Sequence, residues 1–155
     1  MAPWPQWWLD LRPFPKRPAQ SDPSGSAAAR QRQQRRAARG RSSEALARAF
    51  LVAHGYEIEA ANVRFAVGEL DLVARQGRTL CIVEVRSQAT GRFGPAVGSI
   101  LARKRRHLVL AAQRYLQGRR IPWDGEVRFD VVTVDYSPTG RPDVRLIQGA
   151  FSADE

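Results

Sequence analysis

The sequence predicts an α/β domain, a mixed central β-sheet flanked by helices, behind a disordered basic N-terminal tail. Residues 1–28 are crowded with Pro, Ser and Ala, a composition that prevents both helix and ladder. Beyond residue 40 apolar side chains recur at helical spacing in two stretches and alternate as in strands elsewhere. The resulting order, α-β-β-β-α-β-β, indicates a mixed sheet with helices packed on it.

At 155 residues the chain has room for one domain with a core, expected over 40–152, and a tail over 1–39. The formal net charge is +10, and residues 1–40 hold +6 of it, eight Arg or Lys against Asp10 and Asp22. Such a balance attracts polyanions, of which nucleic acid is the commonest in a cytoplasm. An anionic membrane would be attracted too, but no helix shows the strong apolar face of a surface binder. Cys81 is the single cysteine, which excludes an internal disulfide, and with two His it leaves zinc-type spacing absent. No apolar run nears the ~20 residues that cross a bilayer. Pro3, Pro5, Pro13 and Pro15 interrupt what would be the apolar centre of a signal peptide. A cytoplasmic location is expected.

Taken in order, the tail carries an aromatic knot at Trp4, Trp7, Trp8 and Phe14 within its Pro-rich stretch. Ala27 to Arg41 is a basic, helix-tolerant run, expected to be a solvated arm that orders on contact with phosphates. The first helix is expected to begin near Gly40, with Ser42 or Ser43 as its cap and Glu44 in its first turn. Leu46, Ala49, Phe50 and Ala53 make its apolar side, and Gly55 stops it. A strand over Tyr56 to Phe65, broken near Asn62, leads into a hairpin with strands at 69–75 and 79–86. Gly91, Gly94, Pro95 and Gly98 make a loop, and Ser99 caps a second helix that Gly118 ends. Its apolar stripe is Leu101, Leu108, Ala111, Ala112 and Tyr115. Strands over Glu126 to Val134 and Val144 to Ile147 close the chain. Along the first of these, Arg128 and Asp130 read as a structural ion pair or as edge solubility, and His54 and His107 as surface residues.

The hairpin carries the chemistry. Glu69, Asp71 and Glu84 sit in segments that otherwise read as interior, where a carboxylate is costly unless paired or bound to a metal. Alternate strand residues share a face, so Glu69, Asp71 and Val73 point one way, as do Leu80, Ile82, Glu84 and Arg86 on the partner strand. A two-residue turn at Gln76-Gly77 would put Ile82 opposite Asp71, Glu84 opposite Glu69, and Asp71 diagonal to Glu84. Diagonal neighbours are ~7–8 Å apart, close enough for two carboxylates to meet at one ion. A three-residue turn would send the two acids to opposite faces. Oxygen ligands of this kind suit Mg²⁺ or Mn²⁺. Arg86 offers an equal alternative, a buried Arg–carboxylate cluster without chemistry.

The motifs resemble those of the YraN family of bacterial proteins. They are Gly40-Arg-Ser-Ser-Glu44-Ala45, Leu51 to Tyr56, Asn62, Gly68-Glu69-Leu70-Asp71-Leu72-Val73, Val83-Glu84-Val85-Arg86, Lys104, Ala111-Ala112, Tyr115-Leu116, Arg128 to Val132 and Ala150-Phe151. The likeness spans about 38–152. Its fold is similar to that of restriction endonucleases and Holliday-junction resolvases, the PD-(D/E)XK superfamily. The resemblance implies metal ligation by Asp71 and Glu84, with Glu44 as the further acid of resolvase-like members. Where the superfamily motif ends in Lys, this chain has Arg86, which can bind phosphate but cannot readily lose its proton.

The implied function is nucleic-acid binding with Mg²⁺-dependent (or Mn²⁺-dependent) phosphodiester hydrolysis on DNA, Asp71, Glu84 and Arg86 being the catalytic set. The alternative is an inactive DNA-binding or scaffolding protein whose site Arg86 closes. Arg35, Arg36, Arg39 and Lys104 are candidate nucleic-acid contacts. Lys104 can also compensate for Arg86, although one of four consecutive basic residues is expected to be solvated.

Overall fold

The computed structural model describes residues 27–88, 102–119, 122–136 and 141–153. The aromatic tail, the Gly-rich loop, the Ser99 cap and Leu101 lie outside them. Helix α1 spans Ala27–Ala53, then come β1 Glu57–Phe65, β2 Gly68–Gln76, β3 Thr79–Gln88, α2 Ala102–Gln117, β4 Glu126–Tyr136 and β5 Pro142–Phe151. The element order is the expected one, and the sheet order is β1-β2-β3-β4-β5. The β3–β4 pair is parallel, whereas β1–β2, β2–β3 and β4–β5 are antiparallel. The sheet is therefore mixed, with α2 between its two parallel strands in the chain.

The first helix is longer than the sequence suggests. Ala, Arg and Gln fill residues 27–39, all good helix formers, so the helix runs straight through Gly40 despite its cost of ~1 kcal/mol. Ser43 is then no cap. Its buried hydroxyl donates to the Arg39 carbonyl at 2.9 Å and lies 3.0 Å from the Tyr136 hydroxyl. Glu44 accordingly sits mid-helix rather than in a first turn. Gly55 ends the helix as expected, with the Tyr56 N–H returning to the Leu51 carbonyl at 3.0 Å.

The helices cover opposite faces of the sheet. Val73, Leu80, Ile82, Phe129 and Val131 pack with Leu108, Ala111 and Ala112 of α2. Leu72, Ala74, Cys81, Val83, Val132 and Val134 pack with Ala47 and Leu51 of α1 and with Tyr56. Strand β1 is not broken near Asn62 as expected: it runs on through that residue, which holds φ 53°, and its register shifts earlier, between Ile58 and Ala60.

The hairpin register differs from the expected one by a whole pleat. Gln76 pairs with Thr79 and Val73 with Ile82, so the turn is Gly77-Arg78. Gly77 has φ 59°, the left-handed conformation that two-residue hairpins require and that side chains disfavour. Ile82 is thus not opposite Asp71, nor Glu84 opposite Glu69. Because the displacement is even, parity is kept and Asp71 and Glu84 still share a face. No described helix is long and apolar enough to cross a membrane.

Candidate active site

The β2–β3 ladder runs from Gln76–Thr79 up to Leu72–Val83. The next residues along each strand are Asp71 and Glu84, so the two acids stand directly opposed where the ladder ends. Asp71 explains the ending, because its Oδ2 accepts the Val85 N–H at 2.8 Å. The β1 pairs on either side, Ala61–Leu72 and Val63–Leu70, bring Asn62 across from Asp71 on its other flank.

Above this fork lies a cavity of about 420 Å³, lined among others by Gly68, Glu69, Asp71, Glu84, Lys104 and His107. The first turns of α2 form its roof. Gly68 allows that approach, since a Cβ there would come within 3.0 Å of the His107 carbonyl oxygen. Glu84 is buried and forms an ion pair with Lys104. Asp71 is half-buried, and its carboxyl is pushed up to about 7. Burial is the main cause and the facing Glu84 charge the next. The Val85 N–H and the Lys104 charge oppose the shift, and Glu44 adds a weaker repulsion.

Some of the sequence-predicted residues come together here and others lie apart. Asp71, Glu84 and Lys104 meet at the cavity. Lys104 is a correction, for it is not merely one solvated member of a basic run. The apolar stripe carries the signal that finds it, because residue 104 lies one turn before Leu108 on the same side of α2. His107, read as a surface residue, is exposed but lines the cavity. Glu44 is close enough for Asp71 to feel its charge, from the opposite face of the sheet. Arg86 lies two residues beyond Glu84 on the same face, half-buried and opposite Thr133 of β4. Arg35 and Arg39 are exposed on the N-terminal half of α1, which also contains Arg36. Arg39 stands over the Tyr136 ring, 5.7 Å from its centre.

Among the described residues no three His, Cys, Asp or Glu side chains gather into a metal-holding group. The residues that could hold a hard cation such as Mg²⁺ or Mn²⁺ are the two opposed carboxylates. Two hard oxygen donors repel one another, one of them titrates near neutrality, and space remains in front for water and phosphate. Mg²⁺ is commonly held in this way, by one or two carboxylates plus substrate phosphates.

A profile described as "Uncharacterised protein family UPF0102" matches residues 43–134. A UPF0102 protein of Symbiobacterium thermophilum is 44% identical over 116 residues, covering 74% of this chain and 96% of that one. One of Dechloromonas aromatica is 42% identical over 118 residues, 76% of this chain and 92% of its own. One of Verminephrobacter eiseniae is 45% identical over 119 residues, covering 74% and 78%.

Proposed function

The chain belongs to the UPF0102 (YraN) family, and on that premise we propose that it binds DNA and hydrolyses phosphodiester bonds with Mg²⁺ at the Asp71–Glu84 fork. The observation that carries this reading is the pair itself, two carboxylates opposed at the end of a ladder beneath an open cavity with a lysine in its wall. Restriction-endonuclease-like descent agrees with the mixed sheet and with the acids' positions in the strands.

Asp71 and Glu84 would hold the ion. When bound, it polarises the phosphoryl group and offsets the charge that builds there. The chain's own residues do the rest. The Val85 N–H fixes the Asp71 carboxylate. Lys104 orients Glu84 and presents an ammonium to a phosphate entering the cavity. Arg86, a guanidinium that keeps its proton, donates hydrogen bonds to phosphate oxygens but takes no proton from water.

A second reading has its own observation in favour. Lys104 already neutralises Glu84, and Arg86 replaces the motif lysine, so the site is balanced without a metal. The protein would then be a non-catalytic DNA-binding or scaffolding protein. A cleavage assay on branched and single-stranded DNA with Mg²⁺ or Mn²⁺ separates the two. Cutting by wild type that Asp71→Ala abolishes supports the enzyme, and cutting that survives Asp71→Ala removes this site from consideration. Wild type that is inert while Arg86→Lys cuts supports a site closed by Arg86.

A further inference from the structure

The N-terminal half of α1 has no place in that mechanism. Residues 27–39 are helical, and those whose side chains are described are all exposed. Residues 27–41 hold six Arg and no acid. The stretch also precedes the family match, which starts at residue 43.

Its direction follows from its anchors. Ser43 and Arg39 touch Tyr136, the last residue of β4. Tyr56, just past the other end of α1, accepts from Arg128 near the start of β4 at 3.1 Å. The helix therefore runs antiparallel to β4, and residues 27–38 project beyond the end of the sheet where β3 and β4 finish. At ~1.5 Å per residue, that projection is ~18 Å long. Glu84 and Arg86 lie partway towards that end, opposite Val131 and Thr133 of β4, and Lys104 in the first turn of α2 meets Glu84. Glu44, next to the Ser43 anchor, is the weakest of the charges that act on Asp71, so the root of the projection is within electrostatic reach of the cavity.

The phase of the helix adds a direction around its axis. Ser43, Ala47 and Leu51 are buried at intervals of four and mark the side facing the sheet. Arg39 and Arg32 continue that line, at intervals of four and then seven. Arg30 and Arg41 fall on the opposite side.

We propose that the projecting half of α1 is a preformed basic prong. Its sheet-facing side, with Arg32 and Arg39, forms with the cavity end of the sheet one bracket for a duplex DNA backbone. This rests on the reading of the chain as a DNA-binding protein, and not on cleavage. A rigid helix holds its charges in place before the duplex arrives, so its two sides differ in worth, whereas a flexible basic tail would spend all its arginines alike.

The test is binding of a short fluorescein-labelled DNA duplex in EDTA, as a function of salt, using the full chain. Arg32→Gln with Arg39→Gln should cost on the order of tenfold in affinity and flatten the log–log salt slope by ~0.9 for each phosphate no longer neutralised. Arg30→Gln with Arg41→Gln removes the same charge and should change the slope by less than half as much. Equal losses from the two pairs overturn the bracket. Since Arg39 also packs on Tyr136, Arg32→Gln against Arg30→Gln repeats the comparison clear of the domain. Ala37→Pro keeps every charge and breaks the helix, and it should weaken binding as much as the inner pair; unchanged binding overturns the prong. Tight binding to phosphatidylserine vesicles without duplex binding also overturns it. A chain that never cuts but shows the inner–outer difference keeps the bracket and loses the enzyme, and one that cuts without the difference does the reverse.

Discussion

Two carboxylates, Asp71 and Asp130, break ladders in the same way on opposite faces of the sheet, and they end in opposite states. Asp71 takes the Val85 N–H where the β2–β3 pairing stops. Asp130 takes the Gly149 N–H at 2.9 Å, where the β4–β5 register shifts between Phe129 and Val131. Asp130 is fully buried, yet Arg128 grips both of its oxygens, at 2.8 and 3.0 Å. That guanidinium also donates to Tyr56 and Gln76, and Gln148 donates to Tyr56 at 2.6 Å. Across from Asp71 stands Glu84 instead, a like charge, and in front of it an open cavity. Asp130 is a buried acid clamped by its counter-ion, whereas Asp71 faces another acid across an open cavity, the feature on which the proposed cation site rests. Burial alone would have ranked the two the wrong way round.

The largest expected effect breaks the clamp. Arg128→Met leaves Asp130 buried without its counter-ion and should cost ~3–5 kcal/mol in urea unfolding at neutral pH. A loss below ~1 kcal/mol would mean that Asp130 draws little from Arg128, and the contrast between the faces would collapse.

Next comes the cation. Mg²⁺ at a hundredfold excess over its Kd should stabilise wild type by ~2.7 kcal/mol at pH 8, seen as a rise in Tm. Asp71→Asn should show no rise. An equal rise in both would place the ion elsewhere.

The pH dependence is smaller and has a definite sign. Folded Asp71 titrates at about 7, against an ordinary value of 3.8. Between those pH values the folded state holds a proton that the unfolded state has released, so stability falls as pH rises through this window. Asn can still accept the Val85 N–H and carries no charge. Asp71→Asn should therefore gain ~1–2 kcal/mol over wild type at pH 8, with the gain fading towards pH 4. A variant that is less stable at pH 8 would contradict the electrostatic account of the fork.

The smallest effect is kinetic. The Cys81 thiol is pushed up to about 12, by burial first and by the neighbouring Asp130 charge next. Alkylation by iodoacetamide at pH 8 should track global unfolding, and fast labelling of the folded chain would show the clamp face to be open.

Much of this was legible in the sequence, and the reason is local. Strand alternation and helical spacing are properties of a few consecutive residues, so the order of elements could be read along the chain. Parity placed Asp71 and Glu84 on one face even though the turn proved to be Gly77-Arg78, because an even slip leaves every face unchanged. The stop at Gly55 was legible for the same reason, whereas the break expected near Asn62 is absent because β1 keeps its pairing with β2 on both sides of it. The start of α1 was not, since Ser43 fits a cap or a helix interior equally well until Tyr136 arrives from β4.

What the sequence by itself determined, then, was the succession of elements and which side of each strand its acids occupy. Only the tertiary structure decided which acid has a counter-ion. Arg86, two residues away, was the candidate to neutralise Glu84, while Lys104, twenty residues away, was expected in solvent or at a phosphate; the ion pair with Lys104 forms because α2 crosses the mouth of the fork. Arg128 and Asp130 looked like an ordinary alternating pair until Tyr56, Gln76 and Gly149 closed around them. Electrostatic satisfaction depends on groups converging through space from distant elements, and no periodicity along the chain encodes it.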